Sequence, residues 1–117
     1  MNSVKLKYHQ ITYDTIELAE KAVKAIPKSD LLRLSTDVTA LVGCIVEDGI
    51  PKKCNVDKKA ITTQILNDIY TLTETEQEVI GEQIDYLLSI GKIKRTSSVK
   101  LVKQFSAKLI NSFFSQN

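Results

Sequence analysis

The chain has 117 residues, is 43% hydrophobic and 26% charged, and carries a net charge of +2. That is the size of one domain with a hydrophobic core of its own and the composition of a soluble globular protein. No apolar run approaches the ~20 residues that span a bilayer, and MNSVKLKYHQITYD at the N-terminus lacks the apolar centre of a signal peptide, so a cytoplasmic protein is expected, or one assembled from the cytosol.

In chain order, SVKLKYHQITY alternates, with Val4, Leu6 and Tyr8 on one side and Lys5, Lys7 and His9 on the other. A period of two predicts a half-buried strand. A lone strand cannot pair its own backbone, so residues 1–12 are expected to form an extended arm ahead of a helical domain over 13–117. DTIELAEKAVKAI predicts a helix capped by Asp14, with Glu17 three residues on. Its apolar stripe is Ile16, Ala19, Val23 and Ile26, and Pro27 stops it. SDLLRLSTDVTALVGCIVEDG predicts the most buried helix, starting at Ser29. Leu31, Leu34, Val38, Leu41, Val42, Ile45 and Val46 form its apolar face, and Gly49 and Pro51 end it.

After a short basic loop, Asp57 caps KKAITTQILNDIYTL, with Ile61, Ile65, Leu66 and Ile69 inward. Thr62 and Thr63 lower its intrinsic helicity, which leaves packing to hold it. In LTETEQEVIGEQIDYLLSIGKIKR, Thr73 and Glu76 form a capping box, and acids crowd the first turn, where the helix dipole favours them. Val79, Ile80, Ile84, Leu87 and Leu88 are spaced for one buried face, and Gly91 sits at the C-terminal cap. SSVKLVKQFSAKLINSFF predicts a last, Ser-capped helix with Val99, Val102, Phe105, Leu109, Ile110 and Phe113 on one side. The fold class is mainly α: a single domain of about five helices with an N-terminal extended arm or strand.

Little in the sequence suggests catalysis. Cys44 and Cys54 form no CxxC pair and have no histidine nearby, and two thiols alone do not close a zinc site. Cys44 lies in ALVGCIV, where a thiol acts as a small hydrophobe. His9, the single histidine, has no nucleophile placed beside it. Glu74, Glu78 and Glu82 share a helix face, but as a solvated acidic face rather than a carboxylate pair with divided pKa values. No GxGxxG or GxxxxGK[ST] loop is present. The expectation is a protein that is not an enzyme, with no catalytic residue, no cofactor and no metal.

Charge is divided along the chain. Residues 61–90 carry Asp68, Glu74, Glu76, Glu78, Glu82 and Asp85 and no Lys or Arg, a net of −6; residues 91–117 carry Lys92, Lys94, Arg95, Lys100, Lys103 and Lys108 and no acid, a net of +6. Three readings fit. The last two helices can pair as an antiparallel hairpin that sets acid against base. IDYLLSIGKIKR resembles the end of a winged-helix recognition helix and its first wing strand, with Lys92, Lys94, Arg95 and Lys100 on phosphates; the acids on that helix oppose this. The C-terminal segment can also lie as an amphipathic helix in a protein groove or on a lipid surface, and its few polar-face charges favour protein over membrane.

The stretch DKKAITTQILNDIYTLTETEQEVIGEQIDYLLSIGKI, from Asp57 to Ile93, resembles small helical proteins of phages and large DNA viruses, in which a Lys-Lys-led helix is followed by an acidic helix and a lysine-bearing tail. The resemblance implies a virion or assembly role with no defined active site, and it carries over no functional residues. The expected function is a structural or adaptor protein that binds other protein chains, a partner or further copies of itself. Val4, Leu6 and Tyr8 would add a strand to a neighbour, and Phe105, Leu109, Phe113 and Phe114 would dock in a groove. The alternative is a small nucleic-acid-binding regulator using Lys92, Lys94, Arg95 and Lys100.

Overall fold

A computed structural model describes residues 2–94, which form four α-helices: α1 (Asn2–Lys24), α2 (Thr36–Gly49), α3 (Lys58–Tyr70) and α4 (Glu74–Ser89). Single 3-10 turns at Ser29–Leu32 and Lys52–Cys54 lead out of α1 and out of α2, and no strand occurs among the described residues. The mainly α class is observed. The fifth helix expected over the C-terminal segment lies outside the described residues.

The N-terminal strand is corrected. Residues 2–12 belong to α1, which continues without a break through the expected boundary at residue 13. The same letters satisfy a second period: Val4, Tyr8 and Ile11 are spaced i, i+4, i+7 in register with the buried Thr15, Ala19, Ala22 and Ile26. A helix bonds its backbone within its own segment, whereas a strand here would find no partner. Asp14 is therefore mid-helix rather than a cap, and its carboxylate accepts from Gln10 Nε2 at 2.8 Å. Beyond Lys24 a last turn carries Ile26 into the core, and Pro27 prevents continuation.

Helix α2 is the central element and packs against α1, α3 and α4. Every residue from Val38 to Val46 is buried, so its middle is enclosed all round, with Thr39 the one polar side chain in that span. Its start is also corrected: Ser29–Leu32 is a 3-10 turn, and the chain breaks at Leu34, whose φ is 65°, before α2 begins after Ser35. Leu31, expected inward, is 71% exposed. The cause is long-range. Arg33 Nη2 donates to Thr71 O at 3.1 Å, and Gln83 Nε2 donates to Leu34 O at 2.8 Å. Those bonds need backbone and side chain that a continuous helix would withhold.

Helix α3 starts at Asp57, which accepts from Ala60 N at 3.0 Å as expected of an N-cap. Ile65 and Leu66 are buried, and Ile61 and Ile69 pack partly against the core. Helix α4 has both halves of the expected capping box, Thr73 with Glu76. Ile80, Ile84 and Leu87 are buried, but Val79 and Leu88, expected on the same face, are 36% and 46% exposed. The buried stripe is narrower than the apolar one because α4 lies at the edge of the bundle. Gly91, at φ 74°, closes the helix. Lys92 N donates to Leu87 O at 2.9 Å and Gly91 N to Leu88 O at 3.2 Å, the paired bonds of a Schellman cap.

Two close approaches fix the packing. A Cβ on Gly49 would lie 2.5 Å from Thr15 Oγ1, so α1 crosses the end of α2 where there is no side chain. A Cβ on Gly43 would lie 2.5 Å from Ile93 Cδ1, so the chain leaving α4 tucks Ile93 against the middle of α2.

Candidate functional site

The strongest polar node joins α3, α4 and the segment before α2. Arg33 sits where α3 ends, and its guanidinium donates to the main-chain oxygens of Tyr70 and Thr71, the negative end of the helix dipole. It also holds Glu76 in a two-pronged pair, with Nε 2.8 Å from Oε2 and Nη2 on Oε1. Glu76 Oε1 in turn accepts from Thr73 N at 2.9 Å. The hydrogen bond from Arg33, followed by that from the Thr73 backbone, holds the Glu76 carboxyl down at about 2. Between pH 4.5 and 2 the unfolded chain then binds a proton that the folded chain does not. Stability from this group is complete above pH 4.5 and is lost as pH falls toward 2. Glu76→Gln is expected to flatten this part of the acid limb, read as Tm against pH, and to lower Tm at pH 7.

Beside this node Tyr70 donates its hydroxyl to Ser29 O at 2.9 Å. Burial, helped by the charge of Asp30, pushes the phenol up to about 12 and keeps it protonated. Cys44 is buried and lies 3.1 Å from Lys92 O, with its thiol pushed up by burial. A thiol in that state packs and donates weakly; it is not poised as a nucleophile. Cys54 is also free and half-buried. Among the described residues no group of three His, Cys, Asp or Glu is arranged to hold a metal. His9 is exposed on α1.

Between α3 and α4 lies an open groove of about 990 Å3. Asp57, Glu74, Glu78, Glu82 and Asp85 line it, against one cation, Lys59, whose Nζ lies 2.9 Å from Asp85 Oδ2. Ala60 and Gly81 form part of its lining. The expected acidic face of α4 is thus one wall of a concave surface, and it repels phosphate. Around the helix from those acids, Val79, Tyr86 and Ile90 stand exposed.

No protein-family model matches this chain, and neither curated proteins nor solved structures yield a match to it.

The residues singled out from sequence fall in three places. Val4, Leu6 and Tyr8 lie within α1, and a helix does not align positions two apart on one face, so the single row that a strand would give is not formed. Lys92 and Lys94 are exposed just beyond the Gly91 cap. Arg95, Lys100, Phe105, Leu109, Phe113 and Phe114 lie outside the described residues. The Arg33–Glu76 node and the α3–α4 groove were missed. Arg33 looked like one polar position within a helix, and no local signal linked it to a carboxylate 43 positions away. No helix among the described residues is long and apolar enough to cross a membrane.

Proposed function

We propose that this protein is a non-enzymatic structural or adaptor protein that binds other protein chains, with the first half of α1 as its contact element. The observation that carries the reading is the mismatch between helix and core. Helix α1 begins at Asn2, but the first buried side chain described along it is Thr15. His9, Gln10, Tyr13 and Asp14 are exposed, and Ile11 and Thr12 are only partly covered. At ~1.5 Å per residue the helix is about 34 Å long, and its described side chains from His9 to Asp14 all lie outside the buried core that begins at Thr15. Helices in proteins are held mostly by packing of one face rather than by intrinsic propensity, so covering one side of this segment with another chain would stabilise both. Amphipathic helices binding in grooves use anchors at the spacing of Val4, Tyr8 and Ile11.

In the setting suggested by the resemblance to phage and viral proteins, this is an assembly component of a virion. The acidic wall of α4 speaks against the phosphate-binding alternative. The test compares the full chain with one beginning at Ile11. The adaptor reading expects the shorter chain to keep its fold and to lose only the helical signal of the residues removed.

A further inference from the structure

Val79, Tyr86 and Ile90 are 36%, 61% and 48% exposed and follow one another along a single flank of α4. Gln83, the polar residue in that row, is half-buried; its amide donates to Leu34 O, and its Oε1 lies 2.8 Å from the Thr39 hydroxyl. Three large apolar side chains in a row on an otherwise acidic helix mark a face that another element covers.

The chain itself carries a matching element. It leaves α4 through the cap at Gly91, is pinned by Ile93 against α2, and continues past exposed Lys94. Residues 95–117 contain Arg95, Lys100, Lys103 and Lys108 and no acid. Their apolar positions recur at helical spacing. Helix α4 has 16 residues, so a segment of similar length turning back near Lys94 covers it end to end. That reversal brings Val99 level with Ile90, Val102 with Tyr86, and Leu109 with Val79. Glu78 and Glu82, exposed beside the flank, then face a strand of chain with only positive charge.

We propose that residues 95–117 pack as an antiparallel helix along the Val79–Tyr86–Ile90 flank of α4 in the same chain. The apolar contact supplies the attraction. Exposed ion pairs add little strength, but they penalise the wrong direction and register. The same chain is favoured over a second copy because the segment starts five residues after Ile90, which gives it a high effective concentration at the flank. Phe105 and Phe113 are then used within the molecule, and the first half of α1 is left as the surface for other chains.

Amide exchange on the dilute full chain tests this. The wild type is expected to protect amides in 99–113. Tyr86→Glu with Ile90→Glu should speed their exchange by about tenfold or more, with protection across α2 and α3 unchanged. If those substitutions also loosen α4, Leu109→Asp provides the same comparison from the other side. Fast exchange of 99–113 in the wild type would overturn the proposal. So would protection that survives the substitutions, or protection that appears only as concentration rises, the mark of a second copy.

Discussion

Leu41→Ala is expected to destabilise the fold by about 2–5 kcal/mol, read as a shift in the urea midpoint. Leu41 is fully buried in the middle of α2, the helix that touches the other three, so no neighbour can close the hole without moving away from something else. Single domains have only about 5–15 kcal/mol of net stability, so the variant sits close to the threshold for staying folded. Leu31→Ala is the matched control. Sequence spacing puts both leucines on one buried face, but the break at Leu34 leaves Leu31 71% exposed. Its replacement should change stability by less than about 0.5 kcal/mol. Equal effects at the two positions would mean that one continuous helix runs from Ser29.

Gly49→Ala should cost about 1–3 kcal/mol by overpacking. The added Cβ would stand 2.5 Å from Thr15 Oγ1, 2.8 Å from Cγ2 and 3.2 Å from Cβ. All three atoms are close to the α1 backbone, so the helix must shift with the side chain. Thr15→Ala removes the two nearest atoms and leaves one tight contact. Its hydroxyl bonds back to Ile11 O within the same helix, so its loss is cheap. The double variant should therefore recover most of the stability that Gly49→Ala loses, a coupling readable from a double-mutant cycle. Additive losses would mean that α1 does not cross α2 at Gly49.

What was legible in the sequence was local. Asp57, the Thr73–Glu76 box and Gly91 each bond to backbone within a few residues, so their signals are complete in a short window. The buried faces of α2 and α3 followed from spacing for the same reason. What failed depended on distance. Ser29 looked like a cap because the partners of Arg33 lie on α3 and α4. The N-terminus looked like a strand because Val4, Leu6 and Tyr8 fit a period of two while Val4, Tyr8 and Ile11 fit a helical one. The width of the buried stripe on α4 was overread at Val79 and Leu88, since spacing says which way a residue points and not whether anything stands there. The acidic groove needed α3 and α4 to be set side by side, which neither segment encodes alone. The phenylalanine-bearing segment lies outside the described residues, and its docking is a proposal from charge, length and the open flank of α4.

The claim on which the functional reading turns is that the first half of α1 is not needed by its own fold. Thermal melting of the chain beginning at Ile11, beside the full chain, measures this most directly. The account predicts a cooperative transition within a few degrees of the full-length Tm, since every side chain described as buried remains present. A chain that no longer melts cooperatively, or melts far below the parent, would show that residues 1–10 are part of the molecule's own core and would contradict the adaptor reading.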